Sequence, residues 1–396
     1  MLKDVFLAGG ARTPIGGFLG SLSSVPAPKL GAIAIRESLA RAGVPPGAVD
    51  EVVMGNVIGA GLGQNVARQC SIGAGLDVSI GATTVNRVCG SGLKAVMMAA
   101  QAIQLGEASV VVAGGTESMS RAPYLLEKAR TGYRLGHGEV VDAMIRDGLW
   151  DAYKSCHMGV CGDATAVKYG FSRREQDDYA VLSYRRALEA MERGWPAAEI
   201  VKVEVEDRKG KTPVDGDEGP LRFNEEKLRK LPPAFGSEGT VTAGNASSLN
   251  DGAAAITVLS AEKVKELGVT PAARVLGYTT FSREPEWFTT APADANWRLL
   301  KALKLEPEQV DVFEVNEAFA VVPLYLMREL SLPVEKVNPL GGAIALGHPI
   351  GASGARTLVT LLNALRIRRQ KIGIVSLCVG GGEAVAMAVE VQEAVS

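Results

Sequence analysis

What this sequence has little of narrows its function first. Net charge is nearly absent: 42 Lys and Arg against 44 Asp and Glu leave −2 over 396 residues. Such a balance presents no global field to DNA, RNA or an anionic membrane, so no nucleic acid and no membrane partner is expected. Long hydrophobic runs are missing too. The longest, such as 108–115, have strand length, far below the ~20 apolar residues of a membrane span. The N-terminus enters a short apolar run that stops at Gly9-Gly10 and lacks the charged segment, apolar core and cleavage site of a secretory leader. Cysteine is scarce and odd in number, with five residues at 70, 89, 156, 161 and 378. That argues for a reduced, cytoplasmic setting over a disulfide scaffold and makes each conspicuous cysteine a candidate for chemistry. Histidine is scarcer still, at three.

Glycine is in surplus, 46 residues or about 12% against a usual ~7%, without low-complexity runs, which points to tight backbone turns. The length suggests two or three domains, and 47% hydrophobic with 22% charged residues is the composition of a globular chain.

The chain contains one pattern twice. A helical run from Leu30 to Ala42 leads through Pro45-Pro46 to Val49-Asp50 and the strand-like 51–53. A second, Trp297 to Leu303, leads through Pro307 to Val310-Asp311 and the strand-like 312–315. Further on, Val85-Asn86 precedes Gly90-Ser91-Gly92 and a long helix, as Val337-Asn338 precedes Gly351-Ala352-Ser353-Gly354 and another; each helix runs into an apolar strand, 110–113 or 372–375. Val- and Ile-rich strands alternating with helices predict two similar α/β halves. Between them, residues 120–239 are rich in charge and proline, with a capping box at Ser172 to Glu175 opening a helix to about Met191. This segment reads as an insertion, and 250–259 returns the chain to the sheet. The predicted division is 1–119 with 240–268, the insertion 120–239, and 269–396.

Cys89 lies where a strand stops and a helix starts, a placement whose amide donors and dipole favour a thiolate. Taken alone it reads first as a small buried residue packed under the strand-helix turn. The second half changes this reading. His348 stands in a glycine-flanked loop before a helix, and Cys378 ends a strand followed by Gly380-Gly381-Gly382, a turn whose amides can face an oxyanion. A nucleophile, a base, a second proton carrier and an oxyanion turn are all present.

These residues belong to longer motifs: Asn86 to Gly92, Gly114 to Met119, His157-Met158-Gly159, Thr240 to Ser247, Asn316-Glu317-Ala318-Phe319, Gly341 to Arg356 and Cys378 to Gly382. In that order they make the chain resemble the thiolase family, and within it the biosynthetic branch. The resemblance implies a duplicated thiolase-like α/β fold, layered αβαβα, with an inserted loop subdomain. It implies acetyl-CoA C-acetyltransferase activity, the reversible Claisen condensation of two acetyl-CoA to acetoacetyl-CoA plus coenzyme A, with ping-pong kinetics through an acetyl-cysteine. Cys89 is then the nucleophile and His348 its base. Cys378 moves the proton of the second acetyl-CoA, Asn316 holds a water that with His348 forms one oxyanion hole, and the amides of Cys89 and Gly380 form the other. His157, Met158, Ala243, Ser247, Ala318 and Phe319 match positions that line the pantetheine tunnel, and Arg222 the basic residue near the adenine. Coenzyme A is substrate and product; no cofactor and no metal is implied. A homotetramer, a dimer of dimers, is implied through the loop at 121–142.

Two places depart from the family pattern. Val160-Cys161-Gly162-Asp163 follows His157-Met158-Gly159 where Thr-Ala-Glu is usual, which predicts an altered acyl pocket, and Glu383-Ala384 follows the glycine turn. The alternative within the family is a degradative 3-ketoacyl-CoA thiolase with a longer acyl tunnel, acting in fatty acid β-oxidation. Outside it stand a binding protein or cysteine hydrolase that kept only the fold, and a ketoacyl synthase, which would need two histidines. Cys156, His157 and Cys161 supply too few ligands for a zinc site; Cys70 reads as packing and His137 as a surface loop residue.

Overall fold

The computed structural model describes residues 3–207 and 210–392. Met1 and Leu2, where the leader was sought, and 393–396, at the end of the second predicted half, lie outside them. The first half contributes β1 (Val5–Arg12), α1 (Ala27–Ala42), β2 (Glu51–Gly55), β3 (Gly81–Val85), α2 (Ser91–Leu105) and β4 (Val110–Ser118). The intervening segment carries α3 (Met158–Tyr169) and α4 (Arg173–Glu192). There follow β5 (Asn250–Ser260), β6 (Ala273–Ser282), α5 (Ala291–Leu303), β7 (Val312–Val315), α6 (Val321–Glu329), α7 (Ile350–Arg368), β8 (Ile372–Val379) and β9 (Glu383–Val391).

The duplication is visible in the strand order. One sheet runs β7-β8-β9-β6-β1-β5-β4-β2-β3, with the two-residue strand Gly16–Gly17 beside β5. Outward from the central antiparallel pair β1 and β6, each half reads antiparallel, antiparallel, parallel. The repeat predicted from helix, proline turn and Val-Asp is therefore a structural repeat: α1 leads to β2 as α5 leads to β7.

Helix α2 from the first half and α7 from the second pack on each other between the two halves of the sheet, while α1 and α5 cover the outer faces. Every residue of α7 from Ile350 to Leu365 is buried, as a helix enclosed on all sides requires. The α2/α7 crossing depends on glycine. A Cβ on Gly92 would stand 2.7 Å from the Ala355 amide nitrogen, and one on Gly354 would run into the Leu93 backbone. The repeated Gly-x-Gly and Gly-x-x-Gly openings of these helices are thus the places where two backbones meet.

The structure extends several predicted elements. α1 begins at Ala27, because Pro26 sits extended as the N-cap and Pro28 fits the first turn. α5 begins at Ala291 rather than Trp297, again with proline in its first turn. The Ser172/Glu175 capping box forms as predicted, each residue bonding the other's backbone. One element was missed: a hairpin of Val203–Asp207 with Gly210–Val214 lies inside the charged segment. Its Val-Glu-Val-Glu alternation is a half-exposed strand pattern, and Val203 and Val205 pack into the cluster around α1.

Candidate active site

Cys89 follows a strained turn. Val88 has φ 44°, a left-handed conformation that costs a β-branched residue about 1–3 kcal/mol and persists only when its surroundings impose it. They do so here through side chains. Asn86 Oδ1 accepts from Val88 N at 2.9 Å, Ser91 Oγ accepts from Arg87 N at 2.8 Å, and the Ser91 hydroxyl donates to Val88 O at 2.6 Å. Arg87 also pairs with Glu383 at 3.0 Å, so the Glu383 departure ties this turn to β9. The sequence Asn86-Arg87-Val88-Cys89-Gly90-Ser91 is a self-locking loop that fixes one thiol.

The thiol is not the ready thiolate that its helix position predicts. α2 starts at Ser91 with Gly90 as cap, so Cys89 stands ahead of the first turn, and burial pushes its pKa up to about 11. The Gly380 amide, donating to the sulfur, offsets only part of this. Burial raises the Cys378 thiol well above its ordinary value, and the adjacent Cys89 raises it further. The two cysteines, 289 positions apart in sequence, are neighbours in the fold because β8 and the α2 loop meet at the α2/α7 crossing.

His348 is held at its backbone and at one ring nitrogen. Its backbone amide donates to Asn250 Oδ1 at 2.9 Å, and Asn250 Nδ2 donates to Gly16 O at 3.0 Å. The Ser353 hydroxyl donates to Pro349 O at 2.9 Å and lies 2.6 Å from His348 Nδ1. With its one hydrogen used, Ser353 accepts from Nδ1–H, which leaves Nε2 as the bare, proton-accepting nitrogen. That nitrogen is buried without a protein partner. Burial and the nearby Arg356 cation push the imidazole down to about 3, so it is neutral. Both amide atoms of Asn316, just past β7, are likewise buried and unpartnered. A buried polar atom without a partner is costly, about 1–3 kcal/mol, unless a ligand or water completes it.

A cavity of about 550 Å³ leads to these groups, and Cys89, His348, His157, Met158, Ala243, Ser247, Ala318, Phe319 and Arg222 all border it. Cys378, Asn316 and Gly380 do not border it; they lie beneath its inner end. Cys378 and Asn316 are fully buried, and Gly380 reaches the site through its amide and packs on Met158. Ser247 donates to Ala318 O through both N and Oγ, which clamps the 240–247 loop to the 316–319 turn. Arg222 stands at the mouth, mostly exposed and paired with Glu218 at 2.7 Å.

Several bordering or supporting residues were not read from the sequence. Phe235 stacks on His157 with ring centroids 4.5 Å apart and meets Phe319 edge-on, and Phe288 adds a third ring. Aromatics are frequent in the charged segment, so nothing local singled out Phe235. Glu117 is wholly buried and accepts from Asn56 Nδ2, Val57 N, Ile58 N and Gly351 N at 2.9–3.2 Å. It thereby pins the loop that carries His348, and burial pushes it up to about 7 against these four donors. The Val160 to Asp163 departure lies behind the cavity wall, since none of its residues borders the cavity. Asp163 accepts from Thr240 N and Val241 N, and Gly162 makes room for Phe319.

Residues 5–262 match the thiolase N-terminal domain and 269–391 the thiolase C-terminal domain. Acetyl-CoA acetyltransferase 2 of Arabidopsis thaliana is 54% identical over 98% of this chain and 97% of its own. Acetyl-CoA acetyltransferase of Pseudomonas aeruginosa is 50% identical over 98% and 99%. Among solved structures, the Bacillus anthracis acetyl-CoA acetyltransferase superposes with a TM-score of 0.97 at 40% identity, covering 99% of both chains. The Acat5 thiolase of Ascaris suum in complex with coenzyme A gives 0.94 at 42%, covering 98% of this chain and 100% of that one.

Proposed function

The chain belongs to the thiolase family, and we propose, from that premise, how its residues carry out the acetyl-CoA C-acetyltransferase reaction. It is an enzyme that condenses two acetyl-CoA to acetoacetyl-CoA and coenzyme A, reversibly. The observation that carries the residue assignment is the convergence of unpartnered buried groups, His348 Nε2 and the Asn316 amide, on a pair of neighbouring cysteines.

In this reading His348 Nε2 takes the proton of Cys89 as the sulfur attacks the acetyl carbonyl. Both groups begin neutral, so no buried ion pair forms until the substrate is present. The oxygen that becomes negative receives the amides of Cys89 and Gly380, and coenzyme A leaves as a thiolate that takes the proton of Cys378, so that His348 keeps its proton on Nε2 and Cys378 becomes the thiolate. The second acetyl-CoA loses a methyl proton to Cys378, whose high pKa suits a strongly basic thiolate facing a weak carbon acid. The enolate oxygen receives His348 Nε2–H and a water on Asn316. Attack on acetyl-Cys89 makes the new C–C bond and expels the Cys89 thiolate, which recovers its proton from His348 and leaves Cys89, Cys378 and His348 as they began. His157, Met158, Phe319, Ala318, Ala243 and Ser247 guide the pantetheine arm, and Arg222 faces the nucleotide end.

The loop near 121–142 exposes Tyr124, Leu126, Tyr133, Leu135 and Val140. An apolar row on a charged segment supports assembly into a dimer of dimers. Five free cysteines support a cytoplasmic setting; no helix among the described residues is long and apolar enough to cross a membrane.

Intact mass after brief incubation with acetyl-CoA tests the assignment. A single acetyl group mapped to Cys89, removed by free coenzyme A and absent from a folded Cys89→Ser variant, is expected. An adduct that persists in the variant would remove Cys89 from the mechanism.

A further inference from the structure

Three of the five cysteines take no part in the reaction described above, and two of them, Cys156 and Cys161, stand together. Cys156 and His157 form a two-residue strand against Trp150 and Asp151, and α3 begins at the next residue with His157 as its N-cap. Cys156 is therefore the residue before the cap and Cys161 the fourth residue of the helix. Those two positions pack on each other at many helix starts, usually as a pair of apolar side chains that fixes the entry of the chain. Here both are thiols. Cys161 is buried in the apolar cluster beneath the cavity wall, and Cys156 packs on that cluster from its edge. Cys156 is also the most exposed of the five cysteines, the other four being buried.

The surroundings give the two thiols different parts to play. Cys156, reachable from solvent, is the one a dissolved oxidant meets first. The Cys161 thiol is pushed up to about 12, by burial first and then by the adjacent Cys156 and by Asp151. Converting Cys156 to a disulfide removes one of these opposing groups and leaves Cys161 facing an electrophilic sulfur. The group has no arrangement of three or more His, Cys, Asp or Glu among the described residues that could hold a metal ion.

We propose that Cys156 and Cys161 are a reversible redox pair, closing to a disulfide by exchange with a small-molecule disulfide of the glutathione class. The Cys156 thiolate attacks one sulfur of the oxidant, forming a mixed disulfide and expelling one small thiolate. The Cys161 thiolate then attacks Cys156 Sγ, forming the internal S–S bond and expelling the second. The two protein thiols lose two electrons, the oxidant gains them, and the two protons end on the two released thiols. Excess reduced thiol reverses both steps. The bond would span His157 and Met158, of which the first stacks on Phe235 and the second packs on Gly380. Drawing two packed sulfurs to the ~2.05 Å of a disulfide shifts this turn and with it the wall of the cavity. The exchange chemistry is independent of the active-site assignment; only the effect on substrate binding rests on it.

The test uses the full-length enzyme equilibrated over a series of oxidised to reduced glutathione ratios, alkylated and digested with trypsin. Lys154 and Lys168 bound one peptide that holds both thiols, so the disulfide appears as the loss of two hydrogens and of both alkyl groups from that peptide. Peptides carrying Cys89 and Cys378 report oxidation at those thiols separately. Expected are a reversible transition of the 155–168 peptide, a Cys161→Ser variant that stops at a glutathione adduct on Cys156, and a KM for acetyl-CoA raised about threefold or more in the oxidised wild type alone, as ångström displacements of positioning groups produce. Two alkylated thiols at every ratio, or a wild-type adduct on Cys156 that Cys161 never resolves, would overturn the pair. A disulfide that forms with the acetylation endpoint and KM unchanged would overturn its link to the cavity.

Discussion

Ser353 holds His348 in one tautomer: its oxygen lies 2.6 Å from Nδ1 while its own hydrogen goes to Pro349 O. Both residues stand at the N-terminal end of α7, so the helix that forms the centre of the fold also aims the imidazole. Ser353→Ala leaves Nδ1 without an acceptor and lets the proton settle on Nε2, where it blocks base catalysis. Removing the hydrogen bond that orients a metal-binding histidine costs about 10- to 100-fold, and a loss of that order is expected for this imidazole. The rate of Cys89 acetylation should fall by that order with the urea midpoint little changed; an unaltered rate would show that Ser353 does not set the tautomer.

Cys378→Ala separates the two halves of the reaction. The acetyl group should still load on Cys89, since His348 and the oxyanion amides are untouched. Formation of acetoacetyl-CoA, followed by absorbance, should stop. Full synthesis by this variant would take Cys378 out of the proton transfer.

The pH dependence follows from two buried groups with opposite signs. His348 drops from 6.5 to about 3 on folding, so it contributes stability above pH 6.5 that is lost as pH falls towards 3. At about 1.36 kcal/mol per unit the loss reaches several kcal/mol. Glu117 rises from 4.5 to about 7, so its contribution is present below 4.5 and lost as pH rises through 7. A His348→Gln variant should lose less stability than wild type between about pH 7 and pH 5, compared by urea midpoints. Equal losses would mean that the imidazole titrates as it does in water. In the wild type, the acetylation rate constant should show no inflection near 6.5.

Glu117→Gln tests the carboxylate that carries four N–H donors. An amide presents an NH2 group to some of those donors, leaving buried N–H groups unpaired at a cost of about 1–3 kcal/mol. The urea midpoint should fall accordingly. Because Gly351 N is one of the four, the acetylation rate should fall as well. A variant with wild-type stability would show that the loop is held by packing alone.

The sequence alone determined the repeat and the capped start of α4, and it supplied the candidates for the reacting side chains. Helix, proline turn and Val-Asp recur because two α/β units need the same local instructions, and Ser172-x-x-Glu175 is a cap whose partners are both local. The loop Asn86 to Ser91 is legible for the same reason, since its hydrogen bonds close within six residues. The hairpin at 203–214 was obscured by its charged outer face, a pattern of alternation too short to stand out from the segment around it. What the tertiary structure decided is protonation and convergence. A helix N-terminus by itself favours a thiolate at Cys89, yet enclosure between two halves of the chain takes water away, and desolvation outweighs the local dipole, leaving thiol and imidazole both neutral. The meeting of Cys89 with Cys378, the Gly351 donor on Glu117 and the open valences of His348 and Asn316 all depend on how closely α2 and α7 approach. That distance is set by glycines whose contacts are made with the opposite half of the chain, and no local reading of either half contains it.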